Sequence, residues 1–257
     1  MKGRRLSLPP GRRIVADMAQ LSIGSPRAIL LGRINVREVR DARMRTMPRV
    51  AWPALFKKAY AIAAREVPEL RRIYVKLPWP HIYELPSSVA ALVVEREIAG
   101  QAGLLLARFR NPADTPLATL DAGVRTAKYG DTRANRAFVE ALRLARLPMP
   151  LRRILLWTGL NIGRQVPRLF GTFAISVLGG QGATILDTIA VWPGFLSYGP
   201  IAPDGAVEIV ISVDHRVIDG GPAARAIRLI GDALNGPLLA ELSGLIRSRL
   251  GEEGGDC

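Results

Sequence analysis

The stretch Glu208–Gly221, EIVISVDHRVIDGG, decides how the chain is read. Ile209, Ile211 and Val213 alternate with Val210 and Ser212, which predicts a β-strand with β-branched residues on both faces. Directly after it, Asp214–Gly221 places two acids, a histidine and an arginine between that strand and a helix opened by Pro222. The strand fixes the backbone while the turn leaves side chains free to meet a substrate. His215, one of two histidines in the chain, is therefore the leading candidate for chemistry. Ordinary turn chemistry is the competing reading, because Asp and Gly are common turn residues and charged side chains usually face water.

Asp214, His215, Arg216, Asp219 and Gly220 resemble the DHRxxDG form of the HxxxDG motif. That motif belongs to the acyltransferase catalytic domains of 2-oxoacid dehydrogenase complexes and, in its shorter form, to chloramphenicol acetyltransferase. Upstream, Leu169–Gly180, LFGTFAISVLGG, alternates small and bulky side chains and resembles the GGTFTISNLG strand and turn of the same acyltransferases. Gly171, Thr172, Phe173, Ile175, Ser176, Leu178 and Gly179 match, while Val177 replaces an asparagine. The two elements stand in the family's order and separation.

Earlier in the chain the resemblance is looser. RRIVADMAQLS, following Pro9-Pro10, predicts a helix with Ile14, Val15 and Met18 on one side and is similar to the family's RRxIAxxM segment. Arg27–Val36 reads as a strand. Trp52–Leu70 reads as a helix with Leu55, Phe56, Ala59, Ile62 and Ala63 inward and Lys57, Lys58, Arg65 and Glu66 outward. Its VPEL ending resembles the end of a family helix. After a short strand at Arg72–Val75, His81 lies in a proline-broken aromatic segment, where satisfying local backbone groups is a commoner role for histidine than chemistry.

Ser88–Val94 and Gly103–Phe109 read as neighbouring strands, with Glu95-Arg96-Glu97 as a charged turn where the family is apolar and glycine-rich. Pro116–Lys128 reads as a helix. Asn135–Gly163 carries two helical patterns broken at Pro148 and Pro150. On the second, Leu151, Ile154, Leu155, Thr158 and Ile162 share one side. Packing of that side on its own domain or on another subunit is the preferred reading, and a peripheral contact with anionic lipid is the lesser one. Two further helices follow the histidine turn, at Ala223–Leu234 and Leu238–Leu250.

The length of 257 residues suits one large domain, and 49% hydrophobic residues predict a folded chain. No apolar run is long enough for a transmembrane helix and no secretory signal is legible, so a cytoplasmic location is expected. Cys257 stands in a Gly-rich acidic tail, with no second cysteine to pair with. Two histidines without a cysteine or carboxylate cluster specify no metal site. Thirty-six basic against 22 acidic residues give a net charge of +14, which suits polyanions. The charge is spread along the chain without a nucleic-acid-binding motif, and a basic nucleic-acid-binding protein is the third-ranked function.

The resemblance implies a two-layer α/β sandwich of the chloramphenicol acetyltransferase type, the coenzyme A-dependent acyltransferase fold. Its expected bounds are a basic arm at 1–10, a catalytic domain at 11–250 with a helical insertion at about 130–165, and a flexible tail at 251–257. It implies a homotrimer with active sites between subunits, and it leaves open a larger assembly of trimers. Coenzyme A or acyl-CoA would be the cosubstrate, with no metal and no covalent lipoyl group on this chain. A lipoyl domain supplied by another protein is one expected partner, because no lipoyl domain precedes the catalytic region. The implied roles are His215 as general base and Ser176 as donor to the oxyanion, without a covalent serine intermediate. Asp219 would be buried against an arginine, Arg13 first and Arg12 second, and with Gly220 would support the catalytic loop. The acceptor, whether thiol, hydroxyl or amine, and the arginines for the cosubstrate's phosphates stay open. The chief alternative is a noncatalytic oligomeric scaffold derived from the same fold.

Overall fold

The structure is a computed structural model, and it describes residues 3–4, 7–98 and 101–253. Met1, Lys2, Arg5 and Leu6 of the basic arm, and residues 254–257 of the tail with Cys257, lie outside the described residues.

A six-stranded mixed sheet in the order β1-β8-β7-β6-β4-β5 forms the centre. Its strands are β1 (Arg27–Asn35), β4 (Val89–Ile98), β5 (Gln101–Arg110), β6 (Phe173–Ile175), β7 (Gly194–Tyr198) and β8 (Ala206–Asp214). A separate hairpin pairs β2 (Arg72–Val75) with β3 (His81–Glu84). β6 runs parallel to both neighbours, β4 and β7, and the other pairings are antiparallel. The expected turn at Glu95–Glu97 is strand instead: these residues pair with Ala102–Leu104 of β5 and the hairpin closes further on.

Alternation explains how the sheet is covered. Val207, Ile209, Ile211 and Val213 of β8 join the main core beneath α3 (Trp52–Glu66) and α8 (Gly220–Ala233). α2 (Arg37–Met44), α4 (Leu117–Tyr129) and α9 (Leu239–Glu253) complete that layer. On the other face Ala91, Ala174 and Phe195 pack with Met18 of α1 (Pro10–Ser22) and Leu156 of α6 (Met149–Asn161). The expected α/β sandwich is thus present, and α1, α6 and α5 (Arg136–Arg146) add a smaller helical cover over the β4–β5 end.

Helix α3 departs from the sequence reading. Its start is as expected, with Pro53 in the first turn, and the buried Asp121 carboxylate accepts from the Ala51 N–H at 2.6 Å. It ends earlier, at Glu66, because Val67 leaves the helical region before Pro68, and Pro68–Arg71 forms a separate 3-10 turn. Lys57 and Lys58, expected outward, are both buried. The helix lies between the sheet and its neighbours, so its second face is covered too. Lys58 reaches Glu241 at 2.6 Å, and the same carboxylate accepts from the Leu117 N–H to open α4. Lys57 has no hydrogen-bond partner among the described residues and sits over the Phe109 ring.

Strand β6 depends on one glycine. Gly171 has φ +93°, and a Cβ there would meet the Val89 carbonyl oxygen at 2.7 Å. The chain can therefore turn from α7 (Gln165–Leu169) into the slot beside β4, where the Thr172 hydroxyl accepts from the Val89 N–H at 3.0 Å.

Candidate active site

Strand β8 ends on Asp214, and the turn after it is held by that residue. The Asp214 carboxylate is buried and accepts from Arg216 at the backbone N–H (3.0 Å), Nε (2.9 Å) and Nη2 (2.5 Å). Its carbonyl accepts from the Val217 and Ile218 N–H groups, closing a tight loop. Arg216 lies over the Tyr74 ring at 4.3 Å. The hydrogen bond to Asp214, with the charge of that carboxylate, raises its pKa above the ordinary arginine value.

His215 is presented by this loop. Its N–H donates to the Pro26 carbonyl at 3.0 Å, and its Nδ1 lies 3.2 Å from the Ile218 carbonyl oxygen. A carbonyl only accepts, so Nδ1 is the donor in this contact, and in a neutral ring the lone pair is then on Nε2. The side chain is 52% exposed.

Asp219 is not buried against an arginine. Its side chain is 83% exposed, and the His215 ring nitrogen Nδ1 lies 3.4 Å from its carboxylate. The physical reason is the placement of α1. The C-terminal end of that helix, Leu21 and Ser22, borders the cleft beside Asp214 and Arg216. Arg13 lies nine residues earlier, about 14 Å back along the axis at 1.5 Å per residue, and donates to the Leu8 carbonyl. Arg12 is exposed. Gly220 opens α8, and a Cβ at that position would meet nothing within 4 Å, so space does not require glycine there.

The arginine that serves this end of the sheet is Arg27, which the sequence reading did not single out. It faces Asp214 in the β1–β8 register and is buried. It donates to the Ser212 hydroxyl (3.0 Å), the Ser212 carbonyl (2.8 Å) and the Trp192 carbonyl (2.7 Å). Ser212 in turn donates to Asp187 at 2.8 Å. Burial lowers the Arg27 pKa, and Asp187 and Asp214 offset part of that. Only the register reveals this role, since in sequence Arg27 is a charged residue after a proline.

Ser176 follows β6 at the other end of the sheet. Its N–H donates to the Leu196 carbonyl at 3.3 Å, and the side chain is half-buried. Ile175 pairs with Leu196 and Leu196 with Ile211, so Ser176 is level with Val210, five residues short of His215. Five residues of strand and two strand spacings separate the pair by roughly 20 Å. One chain does not bring them together.

Beside Ser176 is a cavity of about 680 Å³ bordered by Val177, Leu178 and Tyr198. Its charged lining is wholly basic: Arg43, Arg49, Arg125 and Lys128. Arg43 is stacked 5.1 Å from the Trp52 ring. These residues are scattered in the sequence, and no spacing signal could have grouped them. His81, by contrast, gives its Nδ1 to the Trp79 carbonyl at 2.7 Å, a local backbone partner. Among the described residues no group of three or more His, Cys, Asp or Glu side chains could hold a metal ion.

No protein-family model matches the chain, and no curated protein matches its sequence. Solved structures do match it in fold. The dihydrolipoamide acetyltransferase of Azotobacter vinelandii superposes with a TM-score of 0.66 at 20% identity, over 94% of each chain. A probable dihydrolipoamide acetyltransferase from Listeria monocytogenes gives 0.62 at 15% identity, over 91% of this chain and 94% of that one. A chloramphenicol acetyltransferase gives 0.51 at 13%, over 85% and 94%. The chain has the chloramphenicol acetyltransferase-like α/β fold.

Proposed function

We propose that the protein is a coenzyme A-dependent acyltransferase whose active site forms between two copies of the chain. His215 Nε2 takes the proton of an acceptor thiol, hydroxyl or amine as that atom attacks the thioester carbonyl. The hydroxyl of Ser176 of the partner subunit donates to the carbonyl oxygen as it gains negative charge. The carbon–sulfur bond then breaks, and the departing thiolate recovers the proton from His215.

The observation that carries this reading is the His215 ring, held at Nδ1 by a backbone carbonyl and open at Nε2, on a fold shared with dihydrolipoamide acetyltransferases. The Azotobacter vinelandii enzyme has been probed for the catalytic roles of a serine, a histidine and an asparagine four residues past that histidine. His215 and Asp219 have the same spacing, and Ser176 supplies the serine. The basic cavity next to Ser176 suits the phosphate groups of coenzyme A, with Arg43, Arg49, Arg125 and Lys128 to hold them. A ring of copies, a trimer by resemblance, would bring the two ends of the sheet together. A dihydrolipoyl group carried by another protein is the first acceptor to try.

The test is release of free coenzyme A from acetyl-CoA with dihydrolipoamide, an alcohol or an amine as acceptor. Activity that falls by about 10²–10⁴-fold in His215→Ala supports the base. Turnover unchanged by that substitution would rule the mechanism out, and absence of both turnover and acetyl-CoA binding would favour a scaffold.

A further inference from the structure

Helix α6 is rotated the opposite way from what its pattern predicts. Leu151, Ile154, Leu155 and Thr158, spaced at i, i+3, i+4 and i+7, form its apolar stripe, and Ile162, at i+11 in the pattern, follows in extended backbone just past the helix end. In the fold that stripe faces out: Leu151 is 46% exposed, Ile154 59%, Leu155 43% and Ile162 40%. The buried side carries Arg152, Leu156 and Gly159.

The rotation is set by an ion pair. Asp17 of α1 is buried and receives Arg152 Nε and, at 2.8 Å, Arg153 Nε. Arg152 also donates to the Leu147 carbonyl at 2.9 Å. With these two guanidinium groups pulled to Asp17, the apolar stripe has no core to enter. Leu155, Thr158 and Ile162 instead border an open apolar groove of about 550 Å³ between α6, α5 and α1.

The surroundings are basic. Residues 141–186 contain six arginines and no aspartate or glutamate. Arg143 and Arg146 before α6, and Arg164 and Arg168 after it, are exposed. The acid on the groove, Glu140, is engaged by Arg108 and Arg136. Trp157, on the same helix, borders the cleft beside Asp214 and Arg216 and is not part of the stripe. An apolar stripe beside exposed arginines, with Arg168 on the groove itself, complements an anionic bilayer surface. Nucleic acid would satisfy the arginines but leave the stripe in water, and a contact between copies is separated from lipid by the molar-mass measurement below.

We propose that this face docks the protein on anionic membrane, with the α6 stripe in the boundary between headgroups and acyl chains. Among the described residues no helix is long and apolar enough to cross a membrane, so the contact is peripheral. The inference is independent of acyl transfer, and its test needs no substrate. The full chain is floated with phosphatidylcholine vesicles, with and without phosphatidylglycerol. Recovery with the anionic vesicles only, reduced by salt, is expected. Ile154→Glu with Leu155→Glu should lower the partition coefficient at least about tenfold, with unchanged molar mass by light scattering and an unchanged melt. Arg164→Gln with Arg168→Gln should lower it as well, without touching the stripe. The proposal is overturned if the protein does not float with anionic vesicles or if both double variants float as well as the parent. It is also overturned if the glutamate variant loses molar mass, which would make the stripe a contact between copies.

Discussion

The side-chain nitrogen of Lys57 lies 3.0 Å from the centre of the Phe109 ring, fully buried and without a hydrogen bond among the described residues. Burial pushes its pKa well below the ordinary lysine range, and Asp121 offsets only part of that. Folding therefore favours the neutral amine. Lys57→Met keeps the length, removes the buried donor and should stabilise the protein by about 2 kcal/mol at neutral pH. From the depressed pKa up to about 10.4, the unfolded chain holds a proton that the folded chain does not, so the Lys57 contribution makes stability rise with pH. Denaturant midpoints measured across the alkaline range should show this slope in the parent and less of it in Lys57→Met.

Asp17 behaves in the opposite sense. Burial acts to raise its pKa, but the hydrogen bonds and charges of Arg153 and Arg152 outweigh it and leave the carboxyl below its usual value. Asp17→Asn leaves Arg152 buried without its counter-charge and should cost about 3 kcal/mol, read as a lower melting temperature. A depressed carboxyl stabilises fully above the unfolded pKa near about 4 and loses that contribution as pH falls through the lower folded value. The gap between parent and variant should close in acid.

Asp219→Asn should leave stability within about 0.5 kcal/mol of the parent, because the side chain is exposed and no arginine is left unpaired. The sequence reading, with a buried Asp219–arginine pair, expects impaired folding. Chemical denaturation distinguishes the two directly.

The histidine turn and the serine strand were legible because local rules govern them: a β-branched run, an acid-rich turn and a proline-opened helix need no distant partner. The rest depended on contacts between remote residues. Lys57 and Lys58 fit an outward helix face until α4 and α9 cover it. The α6 stripe looks like a core face until Asp17, 135 residues from Arg152, turns it out. Arg27 becomes a support of the strand that carries the histidine turn only through its register with Asp214. Arg13 matched a motif, yet its place at the far end of α1 removes it from Asp219.

Subunit mixing tests the central claim most directly. His215→Ala and Ser176→Ala chains, each inactive alone, are denatured together and refolded as mixed oligomers. If each site takes its histidine from one chain and its serine from another, about one quarter of the sites regain both groups and turnover returns in that proportion. Mixed oligomers no more active than either variant alone would contradict an active site shared between subunits.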